Sequence, residues 1–112
     1  MFNVIGSFIN TNTLFLAPTM TKELVDFHTQ HHEKFHEFSN EKSSFYAPDK
    51  WIPHLTIASR LYEESMVKAF LLCRKNSKHI DSYLSKIALL EIEVNENNIA
   101  VEERIIGSID LL

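Results

Sequence analysis

Apolar and polar positions alternate along the chain in seven blocks. Residues 2–9 are apolar and β-prone, Asn10-Thr11-Asn12-Thr13 is a polar turn, and Leu14-Phe15-Leu16-Ala17 is apolar again. Two such runs joined by a polar four-residue loop predict a hairpin. Pro18 ends the second strand, and Thr19 or Thr21 can cap a helix over about residues 22–38, with Glu23 favourable in its first turn. Leu24, Phe27, His31, Phe35 and Phe38 recur at spacings of three and four, the apolar stripe of an amphipathic helix. Lys22, Asp26, Glu33, Lys34 and Glu37 form its wet face. A polar, turn-rich stretch follows at residues 39–50 and ends near Pro48-Asp49. Residues 51–58, Trp-Ile-Pro-His-Leu-Thr-Ile-Ala, read as a short strand. Strand side chains alternate faces, so His54 and Thr56 share one face while Leu55 and Ile57 are expected in a core on the other. Residues 63–76 predict a second helix, with Met66, Val67, Phe70, Leu71 and Cys73 on its apolar face and Arg74 and Lys75 suited to its C-terminal dipole. A β-prone run at 83–94, a strong turn at Asn95-Glu96-Asn97-Asn98 and a returning strand at 99–109 predict a closing hairpin.

The order β-β-α-β-α-β-β predicts an α+β fold, a mostly antiparallel sheet with two helices on one face, formed by residues 1–112 as a single domain. A chain of 112 residues supports one modest core. The formal net charge of −4 disfavours a nucleic acid, DNA included, wrapping its backbone along this surface, but not a small phosphate ester held at one point. One cysteine permits no internal disulfide and fits a reducing compartment, no run of about 18 apolar residues is long enough to span a membrane, and the N-terminus lacks a basic leader, so a cytoplasmic location is expected.

Candidate chemistry is sparse. Four histidines lie on the first predicted helix, and His28, His32 and His36 are four apart, a spacing that can chelate a metal in pairs. No cysteine or acidic ligand joins them at a recognisable spacing, so neither a metal nor any other cofactor is expected. Cys73 reads as a small core residue rather than a nucleophile, and two glycines cannot build a phosphate loop. Phe45 and Tyr46 either fold over a neighbouring site or plug the end of the core. That leaves His54 and Thr56: a neutral imidazole takes a proton, an imidazolium gives one, and a hydroxyl donates to a phosphate oxygen. By itself, a lone His-x-Thr in a sheet is more often a packed structural histidine than a catalytic one.

The stretch Trp51-Ile52-Pro53-His54-Leu55-Thr56-Ile57-Ala58 resembles the second signature of the 2H phosphoesterase superfamily, the relatives of bacterial 2'-5' RNA ligases and cyclic phosphodiesterases. Gly6-Ser7-Phe8, then Leu14-Phe15-Leu16-Ala17-Pro18, the Thr-capped helix, Tyr46 and Pro48, and the later helix and two strands match the order of that family's C-terminal lobe. The resemblance implies one lobe of a two-lobed fold in which each lobe brings one His-x-Thr or His-x-Ser strand to a central cleft. It implies that His54 is one of two acid/base histidines, that Thr56 binds phosphate, and that Tyr46 and Trp51 contact substrate. It further implies a hydrolase acting on a 2',3'-cyclic phosphate or 2'-5' phosphodiester of RNA or a nucleotide. No second His-x-Thr or His-x-Ser occurs in these residues; His28-Thr29-Gln30 and His36-Glu37-Phe38 do not match. The expectation is therefore either a fragment or a half-site completed by another chain, as a homodimer or with a separate first lobe. The alternative is a catalytically incomplete domain that binds nucleotide phosphate or serves interaction.

Overall fold

Thr13, Leu14, Phe15 and Leu16 are consecutive and all buried, which marks their strand as the middle of a sheet. The computed structural model describes residues 1–38 and 45–112, so 39–44, the first part of the predicted 39–50 loop, lie outside the described residues. Two compact units make up the rest, Met1–Asp81 and Ser82–Leu112.

In the first unit, β1 (Phe2–Phe8) and β3 (Leu55–Ala58) flank β2 (Thr13–Pro18) on either side, both antiparallel to it. With a neighbour on each edge and side chains on both faces, β2 supplies the core, Leu14 fully enclosed and Phe15 and Leu16 nearly so. The turn from β1 places Asn12 in the left-handed region (φ 47°), a conformation asparagine adopts more readily than most residues. α1 (Lys22–Phe35) starts where Thr21 Oγ1 accepts the Leu24 N–H at 3.2 Å. It tightens into a single 3-10 turn over His36–Phe38. Leu24 and Phe27 are half-buried, but Phe35 and Phe38 are exposed, so only the first half of the predicted apolar stripe is covered. α2 (Glu63–Asn76) has the bounds read from the sequence, with Glu63 and Glu64 in its first turn and Arg74 and Lys75 in its last. Cys73 on this helix is half-buried. Beyond it, Ile80 and Phe2 exchange backbone hydrogen bonds of 2.8 and 3.0 Å.

Two expectations about β3 are corrected. The predicted strand at 51–58 begins only at Leu55, because Pro53 has no N–H to give a ladder. Leu55 and Ile57, expected in a core, are 51% and 43% exposed. The reason is position: β3 is an edge strand, and α2 lies against β1 and β2 rather than β3.

The second unit is a hairpin of β4 (Lys86–Val94) and β5 (Ala100–Asp110). Asn95 closes it by accepting with Oδ1 from the N–H groups of Asn97 (2.9 Å) and Ile99 (3.1 Å). Glu91 pairs with Arg104 at 2.7 Å and Lys86 with Asp110 at 3.5 Å across the strands. The class and element order are those expected, α+β with all strand pairs antiparallel, and the pairing divides into a three-stranded and a two-stranded sheet. Among the described residues no helix is long and apolar enough to cross a membrane.

Candidate functional site

Residues 51–54 approach the sheet without joining it. The N–H groups of Lys50 and Trp51 both donate to the Ala47 carbonyl, at 2.9 and 2.8 Å, and this turn delivers the chain to Trp51. Pro53 is buried, and His54 stands exposed one residue before β3. Its ring folds back so that Nδ1 lies 2.8 Å from the Ile52 carbonyl oxygen. A carbonyl only accepts, so Nδ1 carries the hydrogen, and in the neutral ring Nε2 keeps its lone pair.

Two phenylalanines support this imidazole. Phe8 and Phe15 stack on each other with centroids 4.4 Å apart, and the His54 ring meets both edge-on, at 4.8 and 5.6 Å. Such aromatic pairs prefer edge-on contact, since the ring edge is positive and its face negative. Register explains the grouping: Gly6, Phe15 and Thr56 are paired in one row across the three strands, so their side-chain positions share a face. Gly6 is required for the row, because a Cβ there would lie 2.7 Å from Phe15 Cζ. Thr56 is exposed on this face, two residues beyond His54. The arrangement offers one basic nitrogen and one hydroxyl on an apolar shelf, which suits contact with a phosphate ester.

A second cluster lies between α1 and the 45–51 segment. The His28 imidazole lies flat on the Trp51 indole, centroids 3.8 Å apart and planes within 4°. His28, His31, His32, Phe35, Tyr46 and Trp51 line a hollow of about 390 Å³. Burial holds His28 below the usual histidine value, and the neighbouring His32 and then His31 push it further the same way; a hydrogen bond to the Tyr46 backbone opposes them. The ring is therefore neutral at pH 7. Tyr46 and Phe45 are 68% and 77% exposed, so neither plugs the core.

Of the four residues singled out from sequence, Tyr46 and Trp51 come together in the hollow, while His54 and Thr56 share the sheet face; the hollow's walls include neither of the latter. Sequence reasoning missed Phe8 and Phe15 as supports of His54, and His28 as the partner of Trp51. The signals available are the spacing of Gly6 and Phe8, two apart and so on one face of β1, for the first, and the place of His28 four residues after Leu24, beside the apolar stripe of its helix, for the second. Among the described residues, no group of three or more His, Cys, Asp or Glu side chains is arranged to hold a metal. A family model described as the 2'-5' RNA ligase superfamily matches residues 1–96, a span that includes both clusters. Comparison with curated proteins and with solved structures returned no significant match.

Proposed function

The chain belongs to the 2'-5' RNA ligase superfamily, and on that premise we propose that it provides half of a phosphoesterase site for a 2',3'-cyclic phosphate or a 2'-5' phosphodiester of RNA or nucleotides, the other His-x-Thr coming from another chain. The superfamily itself suggests phosphoester substrates. One observation carries the reading: the hydrogen bond from His54 Nδ1 to the Ile52 carbonyl leaves Nε2 as the accepting nitrogen of an exposed imidazole, with the Thr56 hydroxyl two residues on. In this reading neutral His54 removes a proton from the attacking water as its oxygen bonds to phosphorus. The partner's acid then protonates the ribose oxygen that leaves, and Thr56 donates to a non-bridging phosphate oxygen. Proton removal and proton delivery are separate tasks on opposite sides of one phosphorus, so a single histidine does not serve both at once.

The test is hydrolysis of a nucleoside 2',3'-cyclic phosphate by the purified chain and by His54→Ala. Loss of an acid/base group costs about 10²–10⁴-fold in rate, and an unchanged rate in His54→Ala would overturn the assignment. Thr56→Ala should weaken phosphate binding about 10- to 100-fold, the effect of a lost hydrogen bond to a charged group. A second reading, binding of a nucleotide phosphate without turnover, is favoured by the presence of only one His-x-Thr in the sequence. Its signature is binding of a nucleoside 3'-phosphate that depends on His54 with no hydrolysis at any protein concentration.

A further inference from the structure

His54 is exposed, stands one residue before an edge strand, and has its ring tied to the Ile52 carbonyl by a hydrogen bond. A hydrogen bond of this kind in water favours one arrangement by only about 2- to 10-fold. A half-turn of the imidazole about its bond to Cβ leaves the ring plane where it was and exchanges Nδ1 with a carbon. The carbonyl therefore selects which nitrogen carries the hydrogen, and a separate constraint must hold the plane. Phe8 and Phe15 supply it. The Phe8 ring is the nearer, 4.8 Å from the imidazole and at 85° to it, with Phe15 at 5.6 Å and 61°. The two phenylalanines stack on each other, so neither swings independently. Phe15 is 7% exposed and lies against Gly6, and Phe8 is held opposite Thr13 in the β1–β2 ladder. The imidazole thus rests on side chains carried by two paired strands, while its own segment joins no ladder. Phe8 is half-buried at the end of β1, so its ring can be exchanged without emptying the core that Leu14, Phe15 and Leu16 form.

We propose that Phe8 is a positioning residue for His54: its ring, backed by Phe15, holds the imidazole in the plane where Nδ1 meets the Ile52 carbonyl, and so keeps Nε2 as the proton acceptor. Phe8 touches no substrate in this role and acts through His54. The effect on turnover rests on the phosphoester reading above, whereas the placement of the ring stands on the fold alone. A base that is correctly placed for only part of the time works in that proportion, so loss of the Phe8 ring lowers kcat and leaves KM.

Phe8→Leu keeps an apolar side chain in β1 and removes the ring, and Phe8→Tyr keeps the ring. Val4→Ala, which trims a half-exposed side chain four residues earlier in β1, controls for loss of stability alone. Imidazole nitrogen resonances of the full chain are read by NMR at alkaline pH, with His54 assigned by its disappearance in His54→Ala. In the unaltered chain and in Phe8→Tyr, His54 should be a single tautomer with its hydrogen on Nδ1. In Phe8→Leu the tautomers should mix, the excess of the Nδ1–H form falling about 2- to 10-fold, the worth of one aromatic pair. Hydrolysis of a nucleoside 2',3'-cyclic phosphate at one protein concentration should show kcat lower by a similar factor in Phe8→Leu, KM within about twofold, and kcat restored in Phe8→Tyr. A mixed tautomer in the unaltered chain overturns the assignment without any variant. So does an unchanged tautomer in folded Phe8→Leu, an equal change in Val4→Ala, or a mixed tautomer in Phe8→Leu with kcat unaltered. A His54 tautomer that depends on Phe8, in a chain that hydrolyses nothing at any protein concentration, supports the positioning of the ring and defeats the phosphoester reading instead.

Discussion

At the scale of single residues, Gly6 and His28 make the sharpest demands. Gly6 leaves room for the Phe15 ring, which is itself 7% exposed and stacked on Phe8, so the ring has little freedom to yield. Gly6→Ala is therefore expected to cost about 1–3 kcal/mol, as overpacking does, and to shift the His54 ring resonances, since Phe15 packs against that imidazole. Gly107→Ala is the control: a Cβ there meets nothing within 4 Å and its φ is not positive, so a urea melt should barely move. His28 makes stability depend on pH. Its folded value lies below the ordinary one near 6.5, through burial first and through His32 and His31 on its own helix second, with Tyr46 and Trp51 facing it from the segment before β3. Below about pH 7 the unfolded chain takes up a proton at this position that the folded chain does not, so stability falls as pH drops through about 6.5 and levels off once the folded ring protonates. His28→Phe keeps a ring on Trp51 and removes the proton, so its urea midpoint should fall less between pH 7.5 and 5.5 than that of the unaltered chain.

At the scale of elements, turn and cap chemistry carries much of the organisation. Asn95 takes two backbone N–H groups of the β4–β5 turn on one side-chain oxygen, while Asn98 holds a left-handed conformation (φ 59°) beside it. Asn95→Ala should destabilise the hairpin by about 1–2 kcal/mol, the cost of two exposed hydrogen bonds at the low end of their range, read as faster amide exchange in β4 and β5. Such elements are legible in the sequence: α2 at 63–76, the Asn95 turn and both hairpins follow from neighbours in the chain. β3 is legible only in part. The alternation from 51 to 58 reads as one strand, but Pro53, whose missing N–H shortens the ladder, outweighs it over the first four residues.

At the scale of the whole molecule, the question is where a second proton-transfer group comes from. The proposed half-site predicts that hydrolysis of a 2',3'-cyclic nucleotide depends on assembly. Specific activity should rise with protein concentration in step with a dimer detected by sedimentation, and adding excess His54→Ala chain should lower the activity per unaltered subunit. Activity independent of concentration in a monomer would exclude a homodimer as the source of the second group. β3 is an edge strand with Leu55 and Ile57 half out in solvent, which is compatible with a neighbour on that side of the sheet.

The sequence by itself determined the α+β class, the element order and the His54-Leu55-Thr56 motif within a family-like context. Each of these depends on residues close together in the chain: the period of apolar positions, the cap at Thr21, the turn at Asn95. Tertiary structure alone decided which rings meet. Phe8 and Phe15 converge because the β1–β2 register brings them to one face, His54 lays its ring against both from just before β3, and His28 reaches Trp51 because α1 lies over the segment that precedes β3. Register and helix placement are set by packing between distant segments, and no local pattern in the chain encodes them. The same reason put Leu55 and Ile57 in solvent: alternation predicts which face a side chain takes, but whether that face is covered depends on where a helix lies.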